Sequence, residues 1–181
     1  MSAIVFPDTE LADNVSLRLV VPADAPEIFV VVDRNRAYLA EWLAWLPHTQ
    51  GAEDIVPFIA GARDEIARGM SVPCVIRRAQ RIVGFISLHH LDRMHHCAEV
   101  GYWLAQEATG RGIVTSAARA LIAYGIATLG LHRIELVAAV ANARSRHVAE
   151  RLGMTEEATL RDRLYLNGRF HDAVLYALLA D

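Results

Sequence analysis

A turn with two glycines is the segment of the chain best suited to hold an anion. Gly110 and Gly112 stand one residue apart, between an aromatic, strand-like run at 101–104 and a helix-like run from Ile113. A helix start leaves about four backbone N–H groups unpaired and carries roughly half a positive charge. Because glycine has no Cβ, a phosphate can approach such a backbone closely. The turn predicts a phosphate site, although a tight connection without a ligand explains it equally well.

This turn differs from two common phosphate-binding loops. It is not a Walker P-loop, because four residues do not separate its glycines and no Lys-Ser/Thr pair follows. It is not the Rossmann fingerprint, because Thr115 stands where that pattern requires a third glycine. The guanidinium of Arg111 and the hydroxyls of Thr115 and Ser116 are candidates for further contacts to an anion.

A second pair of candidates lies at the start of a later predicted helix, over residues 142–152. Asn142 and Ser145 are three residues apart. Asparagine is a good helix N-cap, and Ser145 then falls in the first turn. From the residues alone, this structural role is favoured over a functional one.

Glu99 and four histidines lie on or near two predicted strands. By the alternation of a strand, Glu99 shares a face with Trp103, where a solvated position and a functional one are equally good explanations. Neighbouring side chains on a strand point to opposite faces, so the histidines at 89–90 and 95–96 should not converge on a metal. We expect no metal site here, and we expect Cys97 to be a small core residue rather than a nucleophile.

Three aromatic residues form a further candidate group. Tyr38, Trp42 and Trp45 follow i, i+4, i+7 spacing, which places them on one face of a predicted helix. Core packing is the favoured explanation of this cluster.

The elements that must position these residues follow from periodicity and turn residues. A strand, a helix and a parallel strand surround the glycine turn, whereas short links make the other strand neighbours antiparallel. The chain therefore predicts a mixed α/β fold, with a mostly antiparallel sheet of about seven strands and helices on its faces. The predicted strands are 15–20, 71–76, 81–91, 95–104, 133–140, 154–163 and 169–179, and Asn167-Gly168 forms the turn of the last hairpin.

Length, composition and charge indicate the number of domains and the classes of partner and location that fit this chain. The 181 residues fit one domain, 1–181, and a net charge of −3 argues against a chain-wide attraction to nucleic acid. Two cysteines make no disulfide framework, so a reducing cytoplasm is expected. The first residues lack the pattern of a signal peptide, and no apolar run approaches the roughly 20 residues that span a membrane. A homodimer is left open.

Several motifs together resemble the GNAT acetyltransferases, and in particular the RimJ/RimL-like branch, which includes ribosomal-protein N-acetyltransferases. The resemblance runs from about Asn14 to the C-terminus. Glu107 is one departure, because the family usually has Gln or Arg there. The motifs, at family spacing, are AEVGYWL at 98–104, Glu107-x-x-Gly110-x-Gly112, Asn142-x-x-Ser145, Leu152-Gly153-Met154 and Asp172 near the end.

The resemblance implies that acetyl-CoA is the cosubstrate. No metal is expected to be required, because the spacing of the histidines does not build a closed site. The resemblance also implies a splayed central strand pair whose gap receives the pantetheine arm. Ser145 would protonate the leaving sulfur, and Glu99 would act as base or amine anchor. The implied cofactor contacts are Tyr102, Trp103, Leu104, Glu107, Gly110, Arg111, Gly112, Ile113, Thr115, Asn142 and Ser145.

The same resemblance implies an acceptor site and a reaction. The acceptor would contact Tyr38, Trp42, Trp45 and Tyr165. His90 is a further candidate, because imidazole titrates near neutrality. The implied reaction is direct transfer of an acetyl group, within a ternary complex, to a primary amine, with the N-terminal α-amine of a protein favoured. A small-molecule amine and a non-catalytic acyl-CoA sensor are the alternatives.

Overall fold

The computed structural model describes residues 3–180, which form eight strands and five α-helices. In chain order these are β1 (Thr9–Glu10), β2 (Val15–Leu19), α1 (Ala25–Arg34), α2 (Arg36–Leu39), α3 (Ala52–Arg68), β3 (Val72–Arg78), β4 (Arg81–Asp92), β5 (Cys97–Leu104), α4 (Ile113–Ala127), β6 (Arg133–Ala139), α5 (Ala143–Arg151), β7 (Thr155–Leu166) and β8 (Arg169–Leu179). Within these residues, no helix has the length and apolar character needed to cross a membrane.

The strands form one sheet in the order β1-β2-β3-β4-β5-β6-β8-β7. Neighbouring strands are antiparallel except β5 and β6, which flank the helix α4 and run parallel. This confirms the predicted mixed, mostly antiparallel fold. The strand beyond the predicted seven is β1, whose two residues are too few to produce a detectable pattern of alternation.

The parallel pair separates soon after it begins. β5 and β6 pair at Cys97 with Arg133, at Ala98 with Ile134 and at Glu99 with Glu135, the last pair found between them in the described residues. β6 then continues against β8 as far as Ala139. The predicted splayed pair is therefore confirmed, and backbone groups of β5 beyond Glu99 face an open gap.

Helices cover both faces of the sheet, because side chains alternate along each strand. On β3, Cys74 and Ile76 belong to the core that contains Leu121 of α4. Val75, between them, belongs to a second core that contains residues of α1 and α3, among them Ile59. Each face of the sheet thus has its own apolar layer, and the gap between β5 and β6 connects the two sides.

The predicted helix through the aromatic cluster is wrong in its extent. α2 ends at Leu39, and the guanidinium of Arg36 donates hydrogen bonds to the carbonyls of Leu46 (3.2 Å) and Thr49 (2.8 Å). A continuous helix would place ten residues about 15 Å apart, beyond the reach of an arginine. The chain therefore folds back after α2, and Tyr38, Trp42 and Trp45 do not share a helical face.

Candidate active site

A cleft of about 580 Å³ opens at the gap between β5 and β6, which is a size typical of small-molecule sites. Its walls come from the end of β5, the start of α4, α5 and the segment around α2. Most of the predicted site residues line it, namely Tyr38, Trp42, Tyr102, Trp103, Leu104, Gly110, Gly112, Ile113, Thr115, Asn142 and Ser145. Glu99, Glu107, Arg111, Trp45, His90 and Tyr165 are not among the lining residues.

The glycine turn forms one end of the cleft. Gly110 and Gly112 have φ values of 75° and 72°, a left-handed conformation that favours glycine. Apart from the two chain neighbours of each glycine, no heavy atom of the described residues lies within 4 Å of the position that a Cβ would occupy, so backbone conformation rather than crowding explains these glycines. Ser116 is the first residue of α4 whose amide donates a helical hydrogen bond, to the carbonyl of Gly112. The preceding amides therefore lie at an open helix start beside the cleft, where an anion is favoured.

Asn35 holds the loop before the glycine turn, and sequence reasoning missed it. Its buried side chain accepts a hydrogen bond from the amide of Gln106 (2.8 Å) and donates one to the carbonyl of Val31 (2.8 Å). These two bonds fix the loop against the end of α1. Asn35 and Gln106 are 71 residues apart, so no local pattern could indicate the contact.

Two hydroxyl groups meet where α5 approaches β5. The Tyr102 hydroxyl lies 2.8 Å from Ser145 Oγ, and the amide of Ser145 donates to Asn142 Oδ1 at 3.1 Å. Asn142 is therefore the N-cap of α5, as the structural interpretation predicted. Burial raises the pKa of Tyr102 to about 12, against a smaller opposing effect of Ser145, so the phenol is protonated at neutral pH. The Tyr102–Ser145 pair can therefore supply a proton at the edge of the gap.

Two arginines on α5 also line the cleft, and neither was predicted. Arg151 Nε donates to Thr115 Oγ1 at 3.4 Å, and the Arg144 guanidinium lies over the Tyr38 ring at 5.6 Å from its centroid. The spacing of Arg144, Val148 and Arg151 places them on one helical face, which is the pattern that would have identified them. They add positive charge to a site that already has an open helix start.

Glu99 lies on the face of β5 opposite to Tyr102. Its carboxylate oxygens lie 3.6 Å from His89 Nε2 and 3.6 Å from His90 Nδ1, and its side chain is 22% exposed. Burial alone would raise the pKa of Glu99, but the His89 imidazole, with His90 and Arg163, outweighs that effect and lowers it. Glu99 is therefore an anion at neutral pH, at the point where β5 and β6 separate.

The expectation that adjacent histidines point apart is wrong for His89 and His90. The register between β4 and β5 shifts after the pair of His89 with Glu99, and His90 has a φ of 53°. Such a bulge turns a side chain out of the regular alternation. The two imidazole rings consequently lie together, with centroids 4.7 Å apart, and both face Glu99.

Gly101 makes room for one of these rings. A Cβ at this position would lie 2.8 Å from Cε1 of His89, so any larger residue would displace the imidazole. The glycine allows the ring to lie across β5, on the same face as Glu99. The contact between His89 and Glu99 thus depends on this close approach.

The remaining predicted acceptor residues lie outside the cleft. Trp45 is 39% exposed and follows the turn after α2. Tyr165 is 58% exposed and packs on Phe170 near the tip of the hairpin formed by β7 and β8. That tip contacts the turn after α2, because Asn167 Nδ2 donates to the carbonyl of Ala40 at 3.1 Å.

Cys97 is half-buried at the start of β5. Burial raises its pKa, and the charges of Asp92 and Glu135 act in the same direction. Because only the thiolate is a good nucleophile, this residue is poorly suited to carry an acyl group.

The separation of β5 from β6 beside a glycine turn at a helix start is the arrangement that the GNAT resemblance implies for a coenzyme A-dependent acyltransferase. A model of the acetyltransferase (GNAT) domain matches residues 14–155. The chain belongs to the GNAT acetyltransferase family. It is an acetyl-CoA-dependent N-acetyltransferase, close to the RimJ/RimL ribosomal-protein acetyltransferases.

Three similar proteins support this assignment. "Putative ribosomal N-acetyltransferase YdaF" of Bacillus subtilis (strain 168) is 38% identical over 171 residues, covering 92% of each chain. The ribosomal-protein-serine acetyltransferase of Escherichia coli (strain K12) is 27% identical and covers 95% of this chain and 96% of its own. The structure of RimL, a ribosomal L7/L12 alpha-N-protein acetyltransferase in complex with coenzyme A, superposes with a TM-score of 0.93 at 25% identity, covering 97% and 99%.

Proposed function

We propose that this enzyme acetylates the N-terminal α-amine of a protein, of the ribosomal-protein type, by direct attack within a ternary complex. One observation supports this transfer mechanism above all. The anionic carboxylate of Glu99 and the protonated hydroxyl pair of Tyr102 and Ser145 lie on opposite faces of β5, beside the gap between β5 and β6. The acceptor class rests on similarity along nearly the whole chain to enzymes named for ribosomal proteins.

The cosubstrate would occupy the side of the sheet that α4 and α5 cover. Its pyrophosphate would accept hydrogen bonds from the amides of Glu107 and of residues 110–115, so that Glu107 and Arg111 act through their backbones. Its pantetheine arm would pair with the backbone of β5 at Tyr102, Trp103 and Leu104, in the gap that β6 leaves open. Asn142 and Thr115 would contact it from the cleft wall.

Acetyl-CoA supplies an activated thioester, and the residues of this chain manage the protons. Glu99 would orient the acceptor ammonium group and take its proton, directly or through a water, so that a neutral amine attacks. Ser145 would give its proton to the departing sulfur and regain one from Tyr102, which a proton from solvent would then restore. Since Cys97 holds its proton, direct attack is favoured over an acyl-enzyme.

The acceptor would approach from the other side of the gap, past Tyr38 and Trp42. Trp45, His90 and Tyr165 would make outer contacts with a longer acceptor, because they lie beyond the cleft wall. Neither nucleic acid nor a membrane is needed as a partner. A ribosomal acceptor would place the reaction in the cytoplasm, where ribosomal proteins are made.

An acceptor screen tests the proposed function. Thiol release and mass spectrometry should compare three groups of acceptors. These are peptides with ribosomal-protein N-termini, matched peptides with a blocked α-amine but a free lysine, and polyamines. We expect acetylation of the free α-amine, with no product from the blocked peptide. A polyamine with the higher kcat/KM would assign the enzyme to small amines. Absence of turnover with every amine, despite acetyl-CoA binding, would favour the sensor.

Replacing Glu99 by glutamine should lower kcat/KM for the acceptor about 10- to 100-fold, because hydrogen bonds to charged groups contribute about 1.5–3 kcal/mol. The dissociation constant of acetyl-CoA should not change. Glu135→Gln is the matched control, since Glu135 pairs with Glu99 across the strands but is held by Arg133. Equal losses in both variants, measured by steady-state kinetics, would contradict the specific role of Glu99.

A further inference from the structure

Two imidazoles and a carboxylate converge beside the cleft, on the face of β5 away from the glycine turn. In this His-His-Glu cluster, formed by His89, His90 and Glu99, one ligand atom from each residue lies within 4.8 Å of the others. Imidazole nitrogen and carboxylate oxygen are ligands that Zn²⁺ and similar divalent transition metals bind well. The chemistry of the cluster therefore matches a metal site.

The spacing of the cluster fits an ion better than it fits hydrogen bonds. Each histidine nitrogen lies 3.6 Å from a Glu99 oxygen, which is longer than the 2.7–3.2 Å typical of N–H···O bonds. Ligands held about 2.0–2.1 Å from a tetrahedral zinc ion lie about 3.4 Å from each other. Small rotations of the side chains would therefore bring these atoms to metal-binding distances.

Two backbone features direct the imidazoles towards Glu99. His90 adopts a positive φ, a conformation that is costly for a side-chain-bearing residue and that clusters at functional sites. The His89 ring lies across Gly101, where a Cβ would displace it. Both features bring the imidazoles towards Glu99 before any ion is present, and the His90 side chain, which is 78% exposed, is the ligand that an ion would have to order.

We propose that the His-His-Glu cluster binds one divalent transition metal ion, with zinc as the reference ion, and that the bound ion inhibits acetyl transfer. Three protein ligands and one water would complete a tetrahedral site, with both imidazoles neutral and the carboxylate ionised. The ion would coordinate the Glu99 carboxylate, which the acceptor amine needs, so the metal-free enzyme is the active form. The inhibition rests on the proposed function, whereas the binding does not.

The charge of Arg163 limits how tightly the site can bind. Its guanidinium lies near enough to Glu99 for its positive charge to act on that carboxylate. A metal ion bound to the same carboxylate would be repelled by the positive charge of Arg163. We therefore expect reversible binding, with a lower affinity than that of closed structural zinc sites, which is what an inhibitory site requires.

Direct binding tests the site on the full-length, metal-stripped protein. Calorimetry with Zn²⁺ should show one equivalent bound, and Co²⁺ should give the visible absorption of tetrahedral cobalt. His90→Gln should weaken both at least about tenfold, since even outer-shell partners of metal sites contribute 10- to 100-fold. The control is His95→Gln, which replaces an exposed histidine in the turn between β4 and β5. This variant should bind the metal like the wild type, which would exclude nonspecific binding to surface histidines. Absence of stoichiometric binding, or equal binding by His90→Gln, would overturn the site.

Inhibition is measured separately, relative to the activity of each variant without metal. Zn²⁺ should inhibit acetylation of the N-terminal peptide, EDTA should restore it, and His90→Gln should require at least about tenfold more Zn²⁺. Stoichiometric binding without inhibition would overturn the inhibitory part of the proposal. If no acceptor is acetylated at all, the proposed function fails, while the calorimetric and cobalt measurements still decide whether the site exists.

Discussion

Replacing Gly112 by aspartate should weaken acetyl-CoA binding about 5- to 1,000-fold. The residue lines the cleft, and the space that its Cβ would enter is open in the absence of a ligand. A carboxylate there would face the proposed pyrophosphate, and two like charges about 4 Å apart repel by roughly 1 kcal/mol in water and about 4 kcal/mol near a protein surface. Isothermal calorimetry with acetyl-CoA measures the change.

The control for this change is Gly112→Asn. Asparagine has nearly the shape of aspartate and tolerates the left-handed conformation of Gly112 comparatively well, but it carries no charge. We expect it to bind acetyl-CoA much better than the aspartate variant. If Gly112→Asp binds as tightly as the wild type, the phosphates do not lie at this turn. If both variants lose binding equally, strain or bulk is responsible and not the charge.

The glycine turn was predictable because everything that defines it is local. A change from strand to helix periodicity marks the turn, and the left-handed φ values at Gly110 and Gly112 explain the residue type. The N-cap at Asn142 is equally local, since it bonds to the amide three residues later. The separation of β5 from β6, in contrast, was expected only from the family resemblance, because no residue pattern within β5 indicates where its neighbour departs.

Features that hydrophobic periodicity does not encode account for the errors of the sequence analysis. The end of α2 depends on Arg36 binding carbonyls at Leu46 and Thr49, and a helical spacing of aromatic residues cannot reveal that bond. The convergence of His89 and His90 depends on a bulge, which breaks the alternation on which the sequence argument relied. Both errors concern residues near the acceptor side of the site, so the acceptor pocket is less predictable than the cosubstrate side.

Strand alternation explains how one short segment can serve both halves of the proposed reaction. Glu99 and Trp103 lie on one face of β5, whereas Tyr102 lies on the other and contacts α5. Glu99 also belongs to the last pair between β5 and β6, so its carboxylate stands where the gap begins. The amine and the sulfur would thus meet the chain from opposite sides, and the acid and the base need not compete for one position.

Ser145→Ala should lower kcat about 100-fold while acetyl-CoA affinity stays unchanged. A free thiol has a pKa of about 8.5, so thiolate is a tolerable leaving group, and the loss should lie near the low end of the 10²- to 10⁴-fold range of general acids. The N-cap of α5 should survive, because Asn142 binds the amide of Ser145 and not its hydroxyl. Single-turnover kinetics measures the chemical step, and calorimetry measures cosubstrate binding.

Tyr102→Phe completes this test, because Tyr102 is proposed to act only through Ser145. The single change should reduce kcat less than Ser145→Ala does, since the serine hydroxyl remains and water can return its proton. The double variant should be no slower than Ser145→Ala alone, which is the non-additive result expected of groups in one relay. Independent, multiplying losses would contradict the relay. If kcat is unchanged in Ser145→Ala, with the chemical step shown to limit the rate, Ser145 has only a structural role in the first turn of α5.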